Sequence, residues 1–560
     1  MEYAYDLAGK AQQESDPTGT YGFSYDNMGR LIGTSTQYAY LPGFNFQNAY
    51  TYDAASNRTS LTTPDGSVST YGYDTLNRLS GLANSWAGSF GFSYDALSRR
   101  TQLTRPNGIA TNYGYDSVSH LLSVLHQQGS TTLDGASYTY DPAGNRTSKG
   151  NYLNGVTSNY GYDPLYELTQ VTQGGSTTES YSYDPVGNRL SSVGVPLYNY
   201  NPSNELTSTS TGSYTYDANG NTLSDPSGKS YSWDFENRLT QAVVPGTNGG
   251  TTTFKYDPFG RRIQKSGPLG TTNYLYDGIR VAETSNASGG ELSGYTQGPA
   301  VDEPLAILSG GATDYYQGDE QGSITALTNS SGTVVQNYVY DAYGNARSSS
   351  GTISNPFRYT AREFDPETGL YYDRARYYDS TQGRFLSEDP IGFGGGNDFY
   401  PYADNNPVAY SDPFGLQACS YPDILVHPCM PPLYGPPVDP TAPPAPPTPT
   451  VPGWWPGPDP NPPGSSAGSS SSSGTSTGPS PNPGPGPASQ GSACEKPPKK
   501  KTRKECTDRF IKEKSFCSQY YGTPLYGMCR DRAFWRYSNC LKGVPDPGPL
   551  DPLDPDWSTD

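Results

Sequence analysis

Histidine offers this chain little chemistry. His120, His126 and His427 are its 3 histidines, and they fall in three separate regions, so they build neither a Ser-His-Asp arrangement nor a zinc cluster. No Gly-x4-Gly-Lys loop is present to cradle a phosphate. No cofactor and no metal are therefore expected. Cysteine is more informative, because all 7 lie beyond Leu416. Cys506 and Cys517 fall in "KECTDRFIKEKSFCSQYY", Cys529 and Cys540 in "GMCRDRAFWRYSNCLKG", and both stretches pattern as helices around "GTPLYG". Eleven residues make nearly three turns, so Cys506 and Cys517 share a face with Phe510 and Tyr521, as Cys529 and Cys540 do with Ala533 and Tyr537. If the helices fold back antiparallel, Cys506 faces Cys540 and Cys517 faces Cys529 in one register. Two disulfides would staple a unit too small for a sufficient core. Four reduced core cysteines are the alternative.

Charge sets the same unit apart. Residues 494–542 hold 13 Lys or Arg against 5 Asp or Glu, a net +8, in a chain of net −18. Basic and aromatic residues interleave in "RDRAFWRYSNC", which suits a polyanion or an anionic membrane surface, and a solvated helix face is the other reading. The rest of the chain is strongly acidic. That excludes nucleic acid as a partner of the body, because phosphate recognition needs a basic footprint. Residues 417–492 form a Pro/Gly/Ser-rich linker in which proline removes backbone donors, residues 493–545 the basic Cys-rich hairpin, and 546–560 an acidic Pro-rich tail. No apolar run has the length of a membrane helix, and "MEYAYDLAGK" has neither a basic nor an apolar segment of signal type. Since Tyr3 and Asp6 already look like part of a repeat, the expectation is a start inside a repeat array.

Ahead of all this stands that array. Tyr-Asp pairs begin at Tyr5, Tyr25, Tyr52, Tyr73, Tyr94, Tyr115, Tyr140, Tyr162, Tyr183, Tyr216, Tyr256, Tyr276 and Tyr340, with Tyr200 and Trp233 as degenerate members. A step near 21 residues marks one supersecondary unit per repeat, unable to bury its face alone. In "SYSYDPVGNRLSSV" the alternation puts Tyr181 and Tyr183 on one strand face, Gly187 or Asn188 takes a positive φ in the turn, and Arg189 starts the return strand. Each repeat reads as a β-hairpin whose tyrosines stack on those of its neighbours. The 49 tyrosines supply much of the apolar area in a chain that is only 33% hydrophobic. The class is mainly β.

The array resembles the YD repeats of the RHS family over residues 1–345. After it, "FDPETGLYYDRARYYDSTQGRFLSEDPIG" and "NPVAYSDPFGL" closely resemble the RHS repeat-associated core, here residues 346–416. The resemblance implies a long spiralling sheet forming a shell, and a core that cuts the chain after its terminal Leu to release a variable C-terminal effector. Carried onto this sequence, it implies an acidic pair Asp389 and Asp412, a helper Arg384 and a scissile bond Leu416–Gln417. It also implies the chain's own C-terminal segment as cargo, an immunity protein and secretion-system components as partners, and a protein secreted or displayed at the cell surface by a specialised system. Two close carboxylates share one proton, which suits them to activate water and donate to a carbonyl. Without the resemblance, both Asp-Pro-x-Gly segments read as β-turns in which Asp accepts backbone N–H groups. Two other functions remain open: a non-cleaving surface protein for adhesion or for carbohydrate or protein binding, and a truncated RHS fragment.

Overall fold

The computed structural model describes residues 2–420, apart from 8 and 248. Cys506, Cys517, Cys529 and Cys540, with most of the linker and all of the basic hairpin, lie outside the described residues.

The repeat is a turn built on one aspartate. Strand Val68–Tyr73 ends at Tyr73 and strand Leu79–Asn84 returns antiparallel to it. Between them Asp74 Oδ1 accepts from the N–H groups of Leu76 (2.9 Å) and Arg78 (3.0 Å). Asn77 takes φ 58°, as Gly187 takes φ 99° in its own turn. The turn carboxylate therefore satisfies backbone donors and is a structural group.

Arginine then joins each repeat to the next. Arg78 Nε binds Asp74 Oδ2 at 2.7 Å, and Nη1 donates to Asp95 O of the following turn at 3.1 Å. Its guanidinium lies 4.8 Å from the Tyr94 ring centroid, and Tyr94 OH donates to Leu79 O at 2.8 Å. The same cation-on-ring contact joins Arg30 to Tyr52, Arg99 to Tyr115, Arg238 to Tyr256 and Arg261 to Tyr276, and His120 stacks on Tyr140 in place of an arginine. Several Tyr-Asp tyrosines therefore stack on cations instead of on neighbouring tyrosines, and many of their hydroxyls, such as those of Tyr52, Tyr73, Tyr140, Tyr162 and Tyr256, donate to a carbonyl of the preceding return strand. Tyr183→Phe, which loses hydroxyl bonds to Leu168 O and Tyr343 OH, is expected to cost about 1 kcal/mol. Tyr183→Ala removes the ring as well and costs on the order of 3 kcal/mol. Thermal melts check both, and an unchanged Tyr183→Ala melt would put the ring in solvent.

Strands from Glu2–Tyr5 to Arg189–Ser192 make an 18-stranded antiparallel meander, and those from Thr215–Tyr216 to Ala346–Gly351 a 14-stranded one. The second meander runs on through the stretch between Tyr276 and Tyr340 that lacks Tyr-Asp pairs. Its turns keep the acceptor without the tyrosine: Asn286, Asp319 and Asn329 each accept from N–H groups two and four residues on. Inward faces of the two meanders share apolar clusters, such as Leu82, Phe90 and Leu103 with Leu305 and Ala306, or Tyr21 and Phe23 with Ile263 and Leu275.

A second period runs through the repeats. Five residues after the acceptors that follow Tyr25, Tyr52, Tyr73, Tyr94, Tyr115, Tyr140, Tyr162, Tyr183, Tyr200, Tyr216, Trp233 and Tyr256, the chain alternates Leu31, Arg58, Leu79, Arg100, Leu121, Arg146, Leu168, Arg189, Leu206, Thr222, Leu239, Arg262. The leucines at 79, 121, 168 and 239 are core residues. The alternate set crosses to later parts of the chain: Arg58 to Asp277 (2.7 Å), Arg100 to Glu303, Arg146 to Glu320 (2.5 Å), Arg189 onto the Tyr343 ring (4.1 Å), and Thr222 to Leu386 O (2.8 Å). Arg262 reaches Glu363 and Asp365. These last two belong to a four-stranded sheet, Glu363–Asp365, Leu370–Asp373, Arg376–Asp379 and Arg384–Phe385, which carries the candidate site.

Candidate active site

The hairpin Leu370–Asp373 to Arg376–Asp379 closes with the pair Asp373 and Arg376, leaving Arg374 and Ala375 as its two-residue loop. That loop holds the end of the core by its carbonyls. Arg374 Nη1 donates to Pro413 O, Ala375 N–H to Phe414 O (3.1 Å) and Arg376 Nε to Gly415 O (2.5 Å). Gly415 has φ 66°, and a Cβ there would lie 2.5 Å from Asp373 O, so glycine is required.

Arg376 also joins the two aspartates. Its Nη2 lies 2.9 Å from Asp389 Oδ2 and 3.2 Å from Asp412 Oδ2, its Nη1 donates to Phe399 O at 2.7 Å, and its Cζ sits 3.7 Å from the Phe385 ring centroid. All three charged groups are buried. The other oxygen of each carboxyl serves the backbone. Asp389 Oδ1 accepts from Ile391 N–H at 3.0 Å, while Asp412 Oδ1 accepts from Leu416 N–H at 2.9 Å and from Gln417 N–H at 3.1 Å. The turn reading and the paired-carboxylate reading are thus compatible, because they use different oxygens. Asp389 Oδ2 and Leu416 O both face the bare side of Gly395, where an added Cβ would lie 2.3 Å and 3.0 Å from them.

Burial is the largest influence on this pair. It pushes the Asp389 carboxyl up to about 6 against the pull of Arg376, with repulsion from Asp412 adding to the rise. It raises Asp412 as well, again opposed by Arg376 and by the N–H groups of Leu416 and Gln417. Below about pH 6 the pair is therefore poised to hold a proton.

The structure brings together Asp389, Asp412, Leu416 and Gln417. Arg384 sits elsewhere: Nη2 donates to Asn204 O at 2.9 Å, and the guanidinium lies 4.6 Å from the Tyr400 and 5.2 Å from the Tyr200 ring centroids. Arg376, in "YYDRARYYD", occupies the place between the carboxylates. Nothing in the linear order separates Arg374, Arg376 and Arg384; only the register of the hairpin does. His126 is buried between Thr111 Oγ1 (2.8 Å) and Gly318 O (3.0 Å), and burial lowers its pKa to about 4. Among the described residues no cluster could hold a metal ion, and no helix is long and apolar enough to cross a membrane.

The teneurin YD-shell family model matches residues 139–408 and the RHS repeat model residues 52–89. The chain belongs to the RHS/YD-repeat family. The tRNA3(Ser)-specific nuclease WapA of Bacillus spizizenii is 38% identical over 172 residues, 29% of this RHS/YD-repeat chain and 7% of WapA. The probable deoxyribonuclease RhsA of Dickeya dadantii is 33% identical over 187 residues, 32% of this chain and 13% of RhsA. The chain thus spans a small part of these relatives' length. The crystal structure of TcdB2-TccC3-Cdc42 matches 74% of this chain and 24% of that one, with TM-score 0.65 at 22% identity. That likeness shows the fold.

Proposed function

We propose that this RHS/YD-repeat protein is a toxin-delivery shell that hydrolyses its own Leu416–Gln417 bond and releases residues 417–560 as effector. The observation that carries the reading is Asp412, whose carboxylate shares Arg376 with Asp389 while accepting from the N–H of the bond to be cut. A water molecule adds to the Leu416 carbonyl carbon and gives a proton to one carboxylate. The proton shared by the pair is donated to the carbonyl oxygen. The pair then passes the proton it took from water to the Gln417 nitrogen, the C–N bond breaks, and the hydroxyl proton of the collapsing intermediate returns to the pair, giving a Leu416 carboxylic acid and a Gln417 amine.

Intact-mass measurement on purified protein tests this, with pieces of 416 and 144 residues expected. The rate is expected to fall about tenfold per pH unit above about 6, where Asp389 loses the proton that burial helps it keep. A chain that stays whole through prolonged incubation near pH 6 overturns the reading and favours a non-cleaving surface protein.

The nuclease names of WapA and RhsA support a toxic cargo, and a cognate immunity protein and export machinery belong to such a system. The cargo here holds a single histidine, His427, outside its basic hairpin, which argues for action by binding. The released piece is expected to bind anionic vesicles with an affinity that falls as salt rises. Nuclease activity surviving purification would replace that assignment.

A further inference from the structure

The loop that grips the scissile segment is itself gripped from the repeat sheet. Asp302 stands between strands Glu291–Gln297 and Pro304–Ser309 of the 14-stranded meander, 72 residues before Arg374. Its side chain forms a two-pronged pair with Arg374, Oδ1 to Nη2 at 2.5 Å and Oδ2 to Nη1 at 2.9 Å. Oδ1 also takes Arg362 Nη1 at 2.8 Å. Arg362 in turn donates to Tyr372 O from Nε (3.1 Å) and Nη2 (2.6 Å), so one carboxylate fixes both the strand leading into the hairpin and its loop. Beyond this pair Arg374 does two things: Nη1 donates to Pro413 O, and the guanidinium lies 5.0 Å from the Phe414 ring centroid.

Charge shows how tightly the position is held. Although burial opposes it, the two arginines keep the carboxyl below the usual carboxylate range, so it stays ionised among them. A charged, two-pronged pair fixes direction as well as distance. Arg374 without Asp302 keeps its reach but loses the orientation that aims it at Pro413 O.

Resting on the self-cleavage reading, we propose that Asp302 is a positioning residue for the cut: through Arg374 it seats Pro413–Gly415 so that Leu416–Gln417 lies against Asp389 and Asp412. The cut then waits for the repeat sheet. Until strands Glu291–Gln297 and Pro304–Ser309 are folded, Asp302 is not in place, the terminal segment is loose, and the cargo stays attached. Maturation of the chain is in this way ordered, with shell first and release second.

The test uses the full chain and follows the appearance of the two pieces on gels, with a melt of each variant as folding control. Asp302→Asn is expected to slow cutting at least tenfold and Asp302→Glu to recover part of the loss, a rescue that bulk destabilisation does not produce. Adding Arg374→Gln to Asp302→Asn lowers the rate by less than threefold more, because both changes break one linkage. Where Asp302→Asn fails to fold, Arg374→Gln alone carries the test, since it leaves the Asp302–Arg362 pair in place. Cutting at the wild-type rate in a folded Asp302→Asn or Arg374→Gln protein, or full additivity of the two, overturns the proposal. A wild-type chain that is never cut instead overturns the self-cleavage reading, so the two failures are told apart.

Discussion

Asp412→Asn is expected to leave the chain in one piece, with cutting slowed on the order of a thousandfold or more. The amide keeps the size of the carboxyl, and its oxygen still accepts from Leu416 and Gln417 N–H, so the turn survives. What disappears is the negative charge between Arg376 and the scissile amide, and with it a group able to take a proton from water. Asp389→Asn is expected to fail comparably for the complementary reason. It imitates the protonated acid that burial favours, but it has no proton to deliver. Arg376→Gln removes the cation shared by both carboxyls together with the hold on Gly415 O. Its loss is therefore expected to exceed that of Arg384→Gln, which disturbs contacts with Asn204, Tyr200 and Tyr400. Intact mass after a fixed incubation ranks all four variants. Equal losses at the two arginines would remove Arg376 from its special place, and a cut Asp412→Asn chain would remove the pair.

The hairpin and its turn could be read in the sequence because the cause is local. An aspartate that accepts from residues two and four further on, with a left-handed residue between, is written within six residues and copied along the chain. The turns at Asn286, Asp319 and Asn329 lack the tyrosine but keep the acceptor and its spacing, so the acceptor marks the repeat more faithfully than the ring. The alternation of Leu and Arg was also present in the letters, but its meaning was not, because Arg58 meets Asp277 and Arg146 meets Glu320 only once two distant sheets pack. The site divides the same way. Asp389, Asp412 and the bond they face came from a motif-level resemblance. Arg376 and Asp302 depend on a loop register and on a contact across 72 residues, which no local pattern encodes.

Arg262 shows how far such a contact reaches, and its replacement by Met is expected to cost about 3–5 kcal/mol. The side chain is fully buried, with Nη2 2.7 Å from Glu363 and Nη1 2.5 Å from Asp365, and its Cζ lies 4.3 Å from the Tyr372 ring centroid. Removing the cation leaves Glu363 and Asp365 desolvated, with Lys265 at 3.1 Å still facing Asp365. Neutralising both partners as well, in Arg262→Met with Glu363→Gln and Asp365→Asn, is expected to recover part of the loss, because an unpaired buried charge costs more than an absent pair. Acid provides a second reading. Burial works against ionised Asp365, but Arg262 and Lys265 hold its carboxyl below the usual range. Its contribution is therefore complete above the ordinary carboxylate pKa and is lost as pH falls through the lowered folded value. Without Arg262 that lowering shrinks, so the melting temperature of Arg262→Met depends less on pH in acid than that of the wild type. Parallel pH curves for the two proteins would show that Arg262 does not set the state of Asp365. Because Glu363–Asp365 is the strand beside Leu370–Asp373, the same substitution loosens the sheet that carries Arg376, and slower cutting is expected with the lower melt.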